Sequence, residues 1–566
     1  METHRKIVVV GGVAAGASAA TKARREDEHA RIVLLEKGPY VSFANCGLPF
    51  HLSNQIEDRD DLFVVTPQLL NERFDIEVRL FSEATRIDRE KKCVHIADHG
   101  RNAKYEEPYD KLILAPGAEV IIPDIPGVDA PGVYPLKTIA DMDAVKTYIR
   151  TNGPETAAVI GGGFIGLEAA EALHALGMEV TVVEAQDQLL SPWDPDIADE
   201  IEQHMLDDLW MEVIKSDPVR EITTDGDRVT GLVLESDTAV EAELVILAIG
   251  VRPNTGLAVD AGLDVTERGL IITDPRMRTS DPDIFAAGDA VRTVHRIHET
   301  PCWLPMAGPA NRQGRAAGAN AAGGDITFPG VIGTAIVRVG KLVTARCGLS
   351  EKEASASGTA HIVALATEQS HAGYYPGATE LRLKLIVQKP EGTLLGAQAV
   401  GEDGVDKRID VLATAVTARM NVRELVDLEL TYAPPFGSAK DPVNVAAMIA
   451  VNILDGRSDT ISWTELYEST GPALILDVRS EAERKTVYVK ETTHIDIDAL
   501  RAQVSTFDRD APIRIYCRIG KRGYFAEQLL RGMGFKDVKN IAGGWRSIWG
   551  ELREDKLVGG EPRFND

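Results

Sequence analysis

Two cysteines in this chain stand where a thiol can do chemistry. The first lies in Ser42-Phe43-Ala44-Asn45-Cys46-Gly47-Leu48-Pro49. A Cys followed by Gly-Leu-Pro predicts the N-terminus of a helix, because proline suits a first turn and cannot continue a strand. Unpaired amides and the helix dipole there favour thiolate over thiol. The polar Ser42 and Asn45 argue against a purely apolar site. The next cysteine along the chain is Cys93, so no partner lies close in sequence. A lone cysteine must cycle through a mixed disulfide with a small thiol, a persulfide or a sulfenic acid. The second is Cys517, which a strand from Ile513 to Tyr516 delivers into Cys517-Arg518-Ile519-Gly520-Lys521-Arg522-Gly523, at the head of a helix from Tyr524 to Gly532. Successive amides, the helix dipole and the cations Arg518, Lys521 and Arg522 would hold one sulfur as thiolate or persulfide. Cys93, Cys302 and Cys347 read as structural. His295, His298 and Cys302 are loosely metal-like in spacing, but no second cluster accompanies them, and no metal is expected.

The elements that position Cys46 begin with a buried strand, Lys6 to Val10, followed by Gly11-Gly12-Val13-Ala14-Ala15-Gly16 and an alanine-rich helix to about Arg25. A second strand, Arg31 to Leu35, ends on Glu36. Tight turn, phosphate-binding helix start and an acid about twenty residues on form a dinucleotide fingerprint, with Val13 in place of its middle glycine. The pattern repeats: Thr156 to Ile160 leads to Gly161-Gly162-Gly163-Phe164-Ile165-Gly166, matching G-x-G-x-x-G at Gly161, Gly163 and Gly166. Its following strand ends on Glu184. An acid there accepts hydrogen bonds from a free 2′-hydroxyl and repels a 2′-phosphate, which predicts NADH over NADPH.

Composition bounds the answer. At 566 residues the chain is too long for one core, and about three to five domains are expected. Its 44% hydrophobic and 26% charged residues are those of a soluble globular protein. A net charge of −26 disfavours nucleic acid and anionic membranes as partners. Five widely spaced cysteines form no disulfide framework, no apolar run approaches a membrane span, and no signal peptide precedes Lys6. The expected location is cytoplasmic.

Three signatures in order then carry a resemblance: the first glycine turn, the strand Tyr109 to Leu114 with Ala115-Pro116-Gly117-Ala118, and Thr279 to Asp289 ending in Ala286-Ala287-Gly288-Asp289. They resemble the two-dinucleotide flavoprotein family, which implies FAD in the first site, with Ala115, Gly117 and Gly288 around it and Asp289 on its ribitol. Two such sites, one inserted in the other, imply hydride transfer from NADH to flavin. The Cys46 segment, Ala307-Gly308-Pro309-Ala310-Asn311-Arg312-Gln313-Gly314-Arg315, His371 to Ala378 and Tyr432-Ala433-Pro434-Pro435-Phe436 narrow this. They are similar to the coenzyme A-disulfide reductase group over residues 1–455. Asp477-Val478-Arg479 and C-x-x-G-x-R at Cys517 resemble a rhodanese, so the match is to the subgroup of CoA-disulfide and NADH-dependent persulfide reductases carrying that fusion. The usual Gly-His-Ile-Pro-Gly-Ala turn is absent, with Thr493-His494-Ile495-Asp496 in its place.

The resemblance implies an α/β fold with two nested Rossmann-like domains, an α+β dimerisation domain and a C-terminal rhodanese-like α/β domain. The expected boundaries are 1–150 with 252–330 for FAD, 151–251 for NADH, 331–455 for dimerisation and 456–566 for the rhodanese. It implies a homodimer in which Tyr374 and Tyr432 reach the partner subunit's Cys46 as acid catalysts. It also implies CoA as carrier thiol or bound cofactor. Ser18, Lys22 and Arg25 share one helix face at i, i+4 and i+7, opposite Gly16, Ala19, Ala20 and Ala23, which pack on the sheet. Lys22 and Arg25 can pair with its phosphates, while Ser42, Asn45, Arg73 and Lys440 complete the expected CoA set. The activity implied is NADH-dependent reduction of CoA disulfide, CoA persulfide or polysulfide at Cys46, with sulfur supplied through Cys517. Two alternatives stand beside it: a sulfurtransferase-centred enzyme, and an NADH oxidase or redox sensor using a Cys46 sulfenic acid.

Overall fold

The computed structural model describes residues 4–226, 228–469, 471–548 and 557–558. Residues 1–3 of the expected first domain, and most of 549–566 in the expected last one, lie outside the described residues. The chain forms two compact units: one from residues 1–185 and 214–331, the other from 186–213 and 332–566.

In the first unit, five parallel strands run in the order Ile284–Ala286, Lys111–Leu114, Lys6–Val10, Arg31–Leu35 and Ile76–Arg79. Ile7, Val8 and Val9 are fully buried, as strands covered on both faces require. A second parallel array places Thr156–Ile160 between Glu179–Glu184 and Leu244–Leu247, with Val133–Pro135 beyond. All of these strands fall between Leu114 and Ile284 in sequence, so one dinucleotide fold is inserted into the other. The two turns are built alike. Gly11 at φ +95° and Gly161 at φ +111° each pass under a carbonyl, of Ala115 and Ala248, where a Cβ would collide. The helix Ala14–Glu26 packs on the helix Ala307–Ala321, whose Gly314 and Gly318 lie against the backbone of Ala15 and Ala19. Its small residues therefore serve a helix as well as the sheet.

The second unit opens with an antiparallel sheet ordered Ala335–Val339, Leu342–Gly348, Leu394–Gly401, Glu380–Gln388 and His361–Gln369. The helices Val405–Thr417 and Pro442–Leu454 cover it. Residues 186–213, inside the span expected for NADH binding, group here. Buried charges hold them: Lys384 Nζ meets Asp196 at 2.7 Å, Glu351 at 2.8 Å and Asp194 at 3.3 Å. The C-terminal part is a parallel sheet ordered Thr460–Ile461, Val538–Ile541, Ile513–Tyr516, Leu474–Asp477 and Thr493–His494. The segment that departs from the rhodanese turn thus still supplies an edge strand. Among the described residues no helix is long and apolar enough to cross a membrane.

Candidate functional site

Cys46 is the exposed member of five free cysteines; Cys93, Cys347 and Cys517 are buried and Cys302 is intermediate. Its segment is tied to the first glycine loop, since Ser42 N–H donates to the Gly12 carbonyl at 2.8 Å. Ala44 N–H bonds Leu62 O at 2.8 Å, and a Cβ on Gly47 would meet the end of the Leu62 side chain at 2.7 Å, so the turn packs closely on that residue. Asn45 donates to the Lys137 carbonyl at 3.0 Å.

The expected helix is short. Cys46 sits in a 3₁₀ turn, Asn45–Gly47, that runs into Leu48–Leu52 with Pro49 in the first turn. The expected dipole-stabilised thiolate is also corrected: the Cys46 thiol lies above its ordinary value. Desolvation pushes it up first and the carboxylates of Glu168 and Asp289 add to this, against one backbone hydrogen bond that favours the anion. So short a turn offers little dipole to oppose two acids. Burial and Glu171 raise Glu168 itself to about 7. Asp289 is raised by burial, with Lys137 opposing. Sequence reading missed Glu168 and Lys137 as neighbours; Glu168 lies just after Gly166 on the helix Phe164–Ala175, and only the sheet topology brings it here.

The cofactor residues converge as their spacing requires. Glu36 accepts from Gly12 N and Gly38 N, both at 2.8 Å, and Glu184 accepts from Gly162 N at 2.7 Å. A Cβ on Gly117 or Gly163 would meet nothing within 4 Å, so space is open beside both turns. Phe164 begins the helix behind the second turn. Gly288 N–H donates to Gln313 at 2.8 Å, and Trp303 bonds the Asp289 carbonyl at 2.7 Å, fixing the third signature. Open phosphate loops, strand-end acids and a half-buried Asp289 carboxyl fit FAD and a nicotinamide dinucleotide.

Of the expected CoA residues, Ser18 bonds Asn311 at 2.5 Å and Lys22 pairs with Glu26. Arg25 and Arg73 are exposed in the same unit, and Lys440 is exposed in the other. Tyr374 and Tyr432, 76% and 49% exposed, share a hydrogen bond of 3.0 Å on the second unit's surface. That bond raises the Tyr374 hydroxyl. A cleft of about 280 Å³ beside Tyr432 is lined by Lys407, Thr431, Ala433 and Phe436. Asp88, Cys93 and His95 bring ligand atoms within 4.8 Å of one another, a grouping not anticipated, but Asp88 already pairs with Arg86 at 3.3 Å.

Cys517 is fully buried, and its sulfur accepts Gly520 N–H at 3.1 Å. The helix begins at Lys521, earlier than expected, with Gly520 at φ +89° as its cap. Arg522 stands beside the sulfur. The loop cations are not devoted to it, however. Arg518 pairs with Glu380, Lys521 with Glu368 at 3.4 Å, and Arg522 with Glu483 at 2.6 and 2.8 Å. Beneath the loop, buried Asp477 joins Arg479 and Arg484, each at 3.0 Å, and Tyr516 at 2.7 Å.

Comparison with known proteins agrees with this layout. Residues 5–312 match the pyridine nucleotide-disulphide oxidoreductase model, 334–442 the dimerisation domain of that family, and 462–551 the rhodanese-like domain. Reduced CoADR-RHD of Bacillus anthracis is 41% identical with a TM-score of 0.95, covering 98% of this chain and 99% of its own. An NAD-dependent persulfide reductase from A. fulgidus is 39% identical with a TM-score of 0.90, covering 96% and 99%. The coenzyme A disulfide reductase of Staphylococcus haemolyticus is 33% identical over 78% of this chain and 98% of its own length.

Proposed function

The chain belongs to the pyridine nucleotide-disulphide oxidoreductase family, and from that premise we propose that it uses NADH to reduce persulfide or CoA-disulfide sulfur at Cys46. The observation that carries this reading is the exposed, unpaired Cys46, set against Glu168 and Asp289 at the third signature. Gly11 to Gly16, Glu36, Ala115, Gly117, Gly288 and Asp289 would hold FAD, and Gly161, Gly163, Phe164, Gly166 and Glu184 would hold NADH. FAD bound there supplies two-electron transfer between the nicotinamide and the cysteine sulfur. Glu184 supports NADH over NADPH, because a carboxylate at the end of the strand Glu179–Glu184 accepts from a free 2′-hydroxyl and repels a 2′-phosphate.

Attack by the Cys46 thiolate on a sulfur–sulfur bond forms one such bond and breaks another, so the departing sulfur leaves as an anion that needs a proton. Two electrons from NADH then cleave the new bond and restore the thiolate. The hydrogen-bonded Tyr374 and Tyr432 hydroxyls of the partner subunit supply that proton. The matched dimerisation domain supports the homodimer this requires. Ser18, Lys22, Arg25, Ser42, Asn45, Arg73 and Lys440 bind CoA, whose phosphates Arg25 and Arg73 are exposed to receive. Cys517 carries sulfur as a persulfide, stabilised by the Gly520 amide and Arg522. Five free cysteines support a reducing, cytoplasmic setting.

Anaerobic NADH oxidation with CoA persulfide or CoA disulfide tests the reading. Cys46→Ser is expected to reduce turnover of both to background while FAD absorbance is retained. Retained turnover sinks the mechanism.

A further inference from the structure

The salt bridges around the Cys517 loop carry a consequence for what can react there. Arg518 lays its guanidinium on both Glu380 oxygens, one of them at 3.3 Å, and Arg546 reaches the same carboxylate at 3.6 Å. Lys521 meets Glu368. These acids belong to neither the loop nor its domain. They stand at one end of the hairpin made by His361–Gln369 and Glu380–Gln388, where Glu368 lies across from Leu381 and Glu380 across from Gln369. The same hairpin presses on the neighbouring turn at Gly543–Arg546: a Cβ on Gly543 would meet Leu365 at 2.6 Å, and Arg382 donates to the Arg546 carbonyl at 3.4 Å. The Cys517 carbonyl is in turn fixed by Trp545 N–H at 2.7 Å.

We infer that Glu368 and Glu380 are specificity-determining residues that disfavour dianionic sulfur donors at Cys517 and favour hydropersulfides, whose sulfane end carries at most one negative charge. The inference rests on Cys517 being a sulfur carrier. A dianion such as thiosulfate needs cations to replace its hydration, and here Arg518 and Lys521 are already neutralised. Each of these cations also brings a carboxylate to the loop, Glu380 and Glu368, and like-charge juxtaposition disfavours a dianion there. A hydropersulfide brings at most one charge to its sulfane end, and its protonated form RSSH brings none. The Cys517 thiolate attacks its outer sulfur, the R–S to S bond breaks, RS⁻ departs, and Cys517 retains S–SH. With thiosulfate the same attack would release sulfite, and cyanide would remove the bound sulfur as thiocyanate.

The full-length holoenzyme tests this with Glu368→Gln, Glu380→Gln and the double variant, each checked for FAD content and thermal unfolding. Two probes are used: thiosulfate with cyanide, followed as thiocyanate, and tert-butyl hydropersulfide, followed as gain of one sulfur atom on Cys517 by mass. The double variant is expected to gain about tenfold or more in thiosulfate kcat/KM, a gain that added salt erodes, while hydropersulfide labelling stays at the unmodified enzyme's rate. Unchanged thiosulfate turnover with labelling intact overturns the inference alone. Equal acceleration of both probes overturns it in favour of a simple steric gate. Absence of labelling in every form removes the sulfur-carrier reading and the inference with it.

Discussion

Cys46 is exposed and faces two carboxylates, whereas Cys517 is buried and rests on a backbone amide with Arg522 beside it. The surroundings suit different tasks. A sulfur that must exchange with a large thiol and accept electrons needs an open approach, and acids that discourage the free thiolate keep it from reacting when no substrate is present. A sulfur that only carries a sulfane atom gains from enclosure, because a persulfide anion is held by fixed dipoles and kept from stray oxidants. The supports differ to match. Cys46 is held by main-chain hydrogen bonds and apolar packing, and Cys517 stands over a buried ion network centred on Asp477.

The two sites should differ most in catalysis. Tyr374→Phe with Tyr432→Phe should slow CoA-persulfide reduction by about 10²–10⁴, the usual range for removing a general acid. Each single change should cost less than its share, since the remaining hydroxyl keeps its place in the 3.0 Å pair. Hydropersulfide labelling of Cys517 should be untouched. If the tyrosine changes slow labelling as much as reduction, the two cysteines are not served by separate machinery.

The next effect falls on the other side. Asp477→Asn leaves the Arg479 guanidinium buried without its counter-charge, a defect that costs about 3–5 kcal/mol. Desolvation pushes the Asp477 carboxyl up, but bonds from Arg479 and Tyr516 outweigh it and hold the group below the ordinary carboxylate range. A carboxyl depressed on folding contributes stability that is present above its unfolded pKa and lost as pH falls through the folded one. Acid should therefore unfold the C-terminal domain of the native enzyme, and the Asn variant should lose that dependence along with stability. Differential scanning calorimetry checks this. A variant whose C-terminal transition neither moves nor changes its acid sensitivity would show that the network does not support the Cys517 loop.

What the sequence made legible, and what it hid, divides along the same line. The two nucleotide folds were readable because their signals are local: a strand, a glycine turn that a Cβ would block, a helix of small residues and an acid at the next strand's end. The parallel strand at Thr493–His494 survived a departure from the familial turn because its backbone pairs with Leu476 and Asp477 whatever its side chains. Electrostatics was not readable. The helix dipole at Cys46 is a sequence-adjacent idea, whereas burial first, and then Glu168 and Asp289 from distant parts of the chain, raise the thiol against it. Likewise Arg518, Lys521 and Arg522 look like a free cationic collar until Glu380, Glu368 and Glu483 are seen to meet them.

The acids at Cys46 should restrain its thiol by a modest amount. Glu168 titrates at about 7, so below that pH it carries its proton and exerts no field on the sulfur. Above it the carboxylate is charged and favours the protonated thiol, in the direction that raises Cys46. Glu168→Gln keeps the shape and removes the charge. Iodoacetamide alkylation of Cys46 in the FAD-loaded enzyme should then match the native rate at pH 6 and run a few-fold faster at pH 8, by the ordinary effect of a neighbouring charge on a thiol. Alkylation of Cys517 should not respond, since its sulfur is enclosed in the other unit. Superimposable pH profiles for the two enzymes would mean that burial alone sets the Cys46 thiol, and that the contrast with Cys517 is one of exposure rather than of charge.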